Sequence, residues 1–158
     1  MKTVILYATK YGAAEKIANR IAEKIENAVM CDLKLNDLPK LSEFDCIIIG
    51  SSLYAGMIRK EAKAFLAKNA NVLRGKRIGL FLSGMDTNEN NQKSFFENNF
   101  PSELLQAAKA KSIPGGIYDP EKAGFMERFI FKLAAKQSAY ADIIDDDKIT
   151  RFVKEMTE

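Results

Sequence analysis

Histidine is absent from this chain of 158 residues, and cysteine occurs only twice. Because histidine is the commonest general base and a frequent metal ligand, its absence counts against hydrolytic triads and zinc chemistry. Cys31 and Cys46 lie in separate apolar runs and not in a paired metal or redox motif. If another strand lies between them, they are roughly 10 Å apart, beyond the reach of a disulfide. We therefore expect free, buried thiols in a reducing compartment.

The chain also lacks a long apolar run and a charged start followed by an apolar signal segment. These absences count against a membrane span and against export, so we expect a cytoplasmic protein. The 24 basic and 21 acidic residues give a net charge of +3, but no basic run carries interleaved aromatic residues. Nucleic acid is therefore not expected as a partner. The length and the 47% hydrophobic content predict a single domain spanning residues 1–158.

Short apolar runs alternate with segments of helical period. The run Ile47–Ile49 shows no polar alternation, which is typical of a parallel strand buried on both faces. Five strands are predicted, at Thr3–Tyr7, Ala28–Leu33, Phe44–Ser51, Arg77–Ser83 and Lys109–Ile113. Helical patterns begin near Gly12 or Ala13 and also cover Glu61–Leu73, Phe125–Lys136 and Asp147–Met156. This alternation predicts an α/β fold around a parallel sheet, with an exposed loop at Asp86–Gln92.

The junction between the first strand and the first helix is the most informative segment. It is a polar turn with one glycine: Thr9, Lys10, Tyr11, Gly12, Ala13 and Ala14. The unpaired amides and the positive dipole at the start of a helix favour an anion, and Thr9 adds a hydroxyl and Lys10 a charge. Neither the dinucleotide motif Gly-x-Gly-x-x-Gly nor the nucleotide-hydrolase loop is present. A turn without a ligand is the alternative interpretation.

Two further loops are expected to meet the first one. In an open parallel sheet, a ligand lies outside the carboxyl ends of the strands, at the point where the strand order reverses. The loop after the third strand contains Ser51, Ser52, Leu53, Tyr54, Ala55 and Gly56. The loop after the fourth strand contains Ser83, Gly84, Met85 and Asp86. Three small, polar, glycine-bearing loops at one edge of the sheet indicate a ligand site more specifically than any one of them alone.

The first loop resembles the phosphate loop of flavodoxins, in which hydroxyl residues surround one glycine and the helix continues with an acidic residue and an Ile-Ala pair, here Glu15 and Ile17-Ala18. The resemblance covers nearly the whole chain and implies a three-layer α/β sandwich with a five-stranded parallel sheet of order 2-1-3-4-5. It further implies one noncovalently bound FMN, although Ala14 replaces a threonine that many flavodoxins use.

In this resemblance, Thr9–Ala14 would hold the FMN phosphate, and Ser51–Gly56 and Ser83–Asp86 would frame the flavin ring. Tyr54 would stack on the ring or, alternatively, cap its loop as a surface tyrosine. For Asp86 we favour a solvated loop carboxylate. No catalytic protein residue is required, because the redox chemistry belongs to the cofactor.

The last third of the chain resembles the C-terminal part of the menaquinone-dependent protoporphyrinogen dehydrogenases of the flavodoxin superfamily. The similar residues are Ile113–Tyr118 and the aromatic, basic segment Gly124–Leu133. The resemblance implies an electron-transfer protein that serves a redox partner protein or a quinone. The alternative is a protoporphyrinogen IX dehydrogenase, with a tetrapyrrole groove formed by Asp86–Phe100 and Tyr118–Phe131. A response-regulator-like module is disfavoured, because Thr9 and Ser51 stand where acidic residues would be needed.

The segment Phe125–Lys136 has two interpretations. Phe125, Phe129, Leu133 and Lys136 lie on one side, and we favour the packing of this amphipathic helix on the sheet. In the alternative, Met126, Ile130 and Phe131 present an apolar surface with basic neighbours to a membrane or an electron partner. That alternative predicts a peripheral contact of Phe125–Lys136 at the inner face of the membrane. The sequence gives no indication of the oligomeric state.

Overall fold

The computed structural model describes residues 1–134 and 139–158. Its main sheet contains five parallel strands and one short antiparallel strand. These strands are β1 (Thr3–Ala8), β2 (Val29–Asp32), β3 (Cys46–Tyr54), β4 (Met57–Ile58), β5 (Arg77–Ser83) and β6 (Ala108–Gly115). The order is β2-β1-β3-β5-β6, and β4 pairs antiparallel with β3. The predicted α/β fold with a parallel sheet is confirmed, but the sheet has six strands rather than five because β3 turns back into β4.

Helices cover both faces of this sheet. They are α1 (Ala13–Ala22), α2 (Lys60–Leu73), α3 (Glu89–Asn99), α4 (Ser102–Ala107) and α6 (Asp146–Thr157), while a further helix, α5 (Phe125–Ala134), lies outside these two layers. Alternate residues of the central strands point to opposite faces, so Ile48 packs with α1 and α6 whereas Ile47 and Ile49 pack with α2 and Phe100. The two apolar layers explain why the central strands read as continuous hydrophobic runs.

The strand register brings the three predicted loops to one edge of the sheet. Ala8 at the end of β1 pairs with Ser51 of β3, and Ser52 pairs with Ser83 at the end of β5. Ser83 in turn pairs with Gly115 at the end of β6. The chain segments that follow β1, β3, β5 and β6 therefore leave the sheet side by side.

A helical excursion leaves the sheet edge after β6. The short strands β7 (Ile117–Tyr118) and β8 (Ala141–Asp142) pair antiparallel, and α5 lies in the segment between them. We call residues 117–142 the excursion. Two ion pairs tie its returning strand and the start of α6 to α1: Lys16 Nζ lies 2.6 Å from Asp142 Oδ2, and Arg20 NH1 lies 3.1 Å from Asp146 Oδ1.

Two expectations about local structure are wrong. The predicted loop Asp86–Gln92 ends at Asn88, because the Asn88 side chain accepts hydrogen bonds from the amides of Asn90 and Asn91 and so starts α3 at Glu89. The predicted packing of Phe125, Phe129 and Leu133 on the sheet is also wrong, since these side chains are 74%, 53% and 65% exposed. Lys136, which was assigned to the same helix, lies outside the described residues.

The two cysteines are free thiols, as expected. They lie on β2 and β3, with β1 between these strands. Cys46 is fully buried, but Cys31 is only partly buried because β2 is an edge strand. Burial raises the pKa of both thiols.

Candidate functional site

A cleft of about 190 Å³ opens at the edge of the sheet where the loops converge. Residues of all three predicted loops line it: Lys10, Tyr11, Ala13, Ser52, Leu53, Tyr54, Ala55, Ser83, Gly84 and Met85. The remaining wall comes from the excursion and its approach, namely Gly116, Ile117, Tyr118, Asp119, Ala123, Glu127, Ile130 and Phe131. Of the predicted site residues, those set back from the cleft are Thr9, Gly12, Ala14, Ser51, Gly56 and Asp86.

The first loop is held in a shape that suits an anion. Gly12 has φ of +95°, a conformation that residues with a side chain rarely adopt, and the hydroxyl of Thr9 accepts a hydrogen bond from the Gly12 amide at 2.9 Å. Within the described residues, no side chain caps the start of α1. The first amides of α1 can therefore donate hydrogen bonds to a phosphate group. The loop thus fits a cofactor that carries a phosphate.

The second loop is a tight hairpin between β3 and β4. Ala55 and Gly56 have φ of +49° and +75°, which is the pattern of a type I′ turn. The Asn99 side chain braces this turn, since its amide nitrogen donates to Gly56 O at 2.8 Å and its oxygen accepts from the Ile58 amide at 2.9 Å. The hairpin thereby holds Tyr54 beside the cleft, where it is 42% exposed.

The serines of this loop have different tasks. The Ser52 hydroxyl accepts a hydrogen bond from the Lys10 amide at 3.2 Å and so joins the first loop to the second. The Ser51 hydroxyl is buried, accepts from the Arg59 amide at 2.9 Å and donates to Ser52 O at 3.0 Å. Ser51 therefore fixes the start of α2 rather than facing the cleft.

The third loop passes close to the backbone at the end of β6 and the residue after it. The Gly84 amide donates to Gly115 O at 3.0 Å, and a Cβ on Gly116 would lie within 3 Å of the Gly84 backbone. Asp86 is turned toward α3: its carboxylate accepts from the Asn88 amide and from the Asn91 side chain, both at 2.8 Å. It organises the loop instead of lining the cleft.

Sequence reasoning did not single out Glu127, which is the most unusual side chain of the cleft. This carboxylate is only 8% exposed, although it belongs to a helix with an exposed apolar face. It forms an ion pair with Lys10 Nζ and accepts a hydrogen bond from Tyr11 OH at 2.9 Å. Its one sequence signal is that it is the single acidic residue among the aromatic and basic residues of α5.

The electrostatics of this group are consistent with a stable ion pair. Burial alone would raise the pKa of Glu127, but hydrogen bonds from Lys10 and Tyr11 hold it below its ordinary value. Burial alone would lower the pKa of Lys10, but its bond to Glu127 leaves it raised. The Lys10 ammonium also lies 3.6 Å from the centroid of the Tyr54 ring, a close cation–π contact.

Residues 1–134 and 139–158 contain no cluster of three or more carboxylates or cysteines that could hold a metal ion. The same described ranges contain no helix long and apolar enough to cross a bilayer.

Comparison with known proteins defines the family. The family model of the Flavodoxin domain matches residues 4–143. This chain belongs to the flavodoxin family, and the expectation of FMN as the cofactor agrees with that membership. Among curated proteins, it is similar to protoporphyrinogen IX dehydrogenase (quinone) of Escherichia coli K12, with 22% identity over 87% of this chain and 81% of the relative.

Solved structures agree on the fold. The Streptococcus pneumoniae TIGR4 flavodoxin superposes with a TM-score of 0.65 and 18% identity, covering 99% of this chain and 98% of that one. Oxidised flavodoxin 2 of Bacillus cereus gives a TM-score of 0.60 at 24% identity, with 99% and 98% covered. A Lactobacillus acidophilus flavoprotein solved in complex with FMN gives a TM-score of 0.52 at 19% identity, with 73% and 91% covered.

Proposed function

We propose that this protein binds one FMN in the cleft and transfers electrons through it to a redox partner protein or a quinone. The observation that carries this proposal is the register that aligns the ends of β1, β3 and β5, so that the three loops expected around a flavin share one cleft. The family match supports the same cofactor. When bound, the flavin would supply the redox chemistry, and the protein would supply binding and orientation.

Each loop has a separate task in this proposal. The loop Thr9–Ala14 would bind the phosphate through the first amides of α1, with the positive φ of Gly12 turning them toward it. The residues Ser51–Gly56 and Ser83–Asp86 would frame the ring. Within these loops, Ser52, Leu53, Tyr54, Gly84 and Met85 line the cleft, whereas Ser51, Gly56 and Asp86 would hold the loops in shape.

The absorbance spectrum of the protein tests the proposal. The protein is purified, incubated with FMN and freed of excess cofactor, and we expect the flavin bands to persist at a ratio near one per chain. Riboflavin, which lacks the phosphate, is the matched ligand control and should be retained far more weakly. A colourless protein after this treatment would reject FMN binding.

A second candidate is quinone-linked protoporphyrinogen oxidation. It is favoured by the similarity to the E. coli dehydrogenase and by the apolar wall that Tyr118, Ile130 and Phe131 add beside the flavin loops. The Phe131 ring stacks on the buried ring of Tyr118 with centroids 4.6 Å apart, and Phe131, which is partly exposed, would offer a flat apolar surface to a planar substrate. Turnover of protoporphyrinogen IX with a quinone acceptor tests this candidate. If the protein reduces the quinone but does not oxidise protoporphyrinogen IX, this candidate is rejected and the electron-carrier function is kept.

For the membrane contact, the outer face of α5 is the relevant surface. Phe125, Met126, Phe129 and Leu133 are more than half exposed, and Arg128 and Lys132 lie beside them on the helix surface. The single acidic side chain of α5 is turned inward and paired, so the outer face is apolar and basic. We propose an anionic bilayer surface as its occupant, since this combination binds both the acyl boundary and acidic headgroups.

Flotation with vesicles of phosphatidylcholine alone or mixed with phosphatidylglycerol tests this contact. We expect the protein to float with the anionic vesicles, and the double variant Phe129→Glu/Leu133→Glu to remain at the bottom. Val29→Glu/Leu35→Glu, which adds the same two charges at exposed apolar positions of the edge strand β2 and the turn after it, is the control and should float. Equal recovery of wild type and double variant with the vesicles would reject the contact.

A further inference from the structure

Two side chains of α5 that face the cleft lie one helical turn apart. Glu127 reaches the phosphate loop, and Phe131 stacks on Tyr118 of β7. The neighbouring residues on the outer face are exposed. The position of α5 over the cleft therefore depends strongly on what Glu127 contacts.

Both donors to Glu127 belong to the loop assigned to the cofactor phosphate. Its Oε1 forms the ion pair with Lys10 Nζ and accepts from Tyr11 OH at 2.9 Å. A carboxylate and a phosphate monoester present the same chemistry to such donors, namely negatively charged acceptor oxygens. An internal anion thus uses donors that an external anion would use.

The same ion pair crosses the cleft. Lys10 Nζ lies over the Tyr54 ring at 3.6 Å and over the Tyr11 ring at 5.0 Å, with Glu127 on the wall that the excursion forms. The remaining cavity of about 190 Å³ is smaller than the roughly 300–1,000 Å³ of typical sites for drug-sized ligands. A planar ring that stacks on this face of Tyr54 would have to displace the Lys10 ammonium.

We infer that Glu127 is an internal competitor for the cofactor: its ion pair with Lys10 holds α5 closed over the cleft, and binding of FMN breaks the pair and releases the helix. This inference rests on the proposed binding of FMN. It couples FMN binding to the position of α5 and of its apolar outer face. FMN would bind the released state of the helix more tightly and so shift the population toward that state, because a ligand shifts a conformation only by its differential affinity for the two states.

The Glu127→Gln variant tests the inference through affinity. Its FMN dissociation constant, measured by quenching of flavin fluorescence, should fall roughly three- to tenfold, because the amide no longer competes as an anion. Glu121→Gln is the matched control. It removes the same charge from an exposed position of the excursion, and it should leave the affinity unchanged.

Amide hydrogen exchange of residues 125–134 gives a second readout that needs no activity. In wild type, FMN should speed this exchange, whereas ligand-free Glu127→Gln should exchange at the faster rate before FMN is added. The ligand-free Glu127→Ala variant should also exchange these amides faster than the wild-type protein.

The outcomes are separable. Weaker or unchanged FMN binding in Glu127→Gln, or slower exchange of α5 in wild type on addition of FMN, overturns the inference and leaves the proposed function intact. Failure of the wild-type protein to bind FMN overturns the proposed function and this inference together.

Discussion

At the residue scale, Gly12 has the backbone conformation on which the phosphate loop depends. Its φ of +95° disfavours any residue with a Cβ, although a Cβ there would meet none of the described atoms within 4 Å. The constraint is therefore conformational and not steric crowding.

We expect Gly12→Val to weaken FMN binding by about tenfold or more, equivalent to ~1.4 kcal/mol, because valine would turn the loop amides away from the phosphate. Gly75→Val is the matched control. Gly75 also has positive φ and open space around a Cβ, and it lies outside the cleft. That control should lose stability but keep its affinity for FMN, as measured by fluorescence titration. Equal loss in both variants would reject the phosphate-loop assignment.

Residue patterns predicted one side of the cleft well and the other side poorly. The three loops follow directly from strand ends, because a parallel sheet brings its carboxyl ends together. Glu127 lies more than a hundred positions from Lys10, and its burial depends on how the excursion folds back. Local periodicity contains no information about such a contact. The tasks of Ser51 and Asp86 were equally hidden, because their hydrogen-bond partners are Arg59, Asn88 and Asn91.

At the scale of elements, the position of α5 should depend on pH. The pKa of Glu127 is lowered in the folded state, so its contribution is fully present above the unfolded value of about 4.3 and is lost as pH falls through the lower folded value. The pKa of Lys10 is raised, so its contribution is present below about 10.4 and is lost only as pH rises through the folded value.

We therefore expect the protection factors of the α5 amides, corrected for intrinsic exchange, to be constant near neutral pH and to fall below about pH 4. In Glu127→Gln they should be low and nearly independent of pH over this range. A wild-type profile that matches the variant at both pH 7 and pH 3 would contradict a role of the ion pair in holding α5.

The boundaries of the buried elements were predicted more closely than those of the exposed ones. The strand Arg77–Ser83 and the start of α1 at Ala13 agree with the sequence pattern. In these elements the buried side chains are the apolar ones, so the apolar pattern of the sequence begins and ends with the element. Helix α3 has no buried side chain, so its sequence carries no apolar stripe, and only the Asn88 cap marks its start. Helix α5 has a clear period, but the period does not reveal that its apolar side faces outward.

At the scale of the whole molecule, the prediction of a single domain remains to be tested. Phe152 of α6 is 2% exposed and packs in the same layer as Ile5, Ile48 and Phe81 of three different strands. Removal of its ring should therefore affect the whole sheet rather than one helix.

We expect Phe152→Ala to lower the free energy of unfolding by about 3–5 kcal/mol, measured by urea denaturation. If residues 1–158 form one domain, circular dichroism and tyrosine fluorescence should report a single shifted transition. Arg151→Ala, a substitution at the neighbouring exposed position, should change the stability by less than about 0.5 kcal/mol. Two separate transitions in the wild-type protein would contradict the single domain.

The pairing of β7 with β8 has one more consequence. Tyr118 and Ala141 are partners in the antiparallel register, so the chain leaves the sheet edge and returns to it at the same place. A two-residue turn can join such partners, so we expect that replacing the intervening stretch by a short turn leaves every strand of the main sheet in its place.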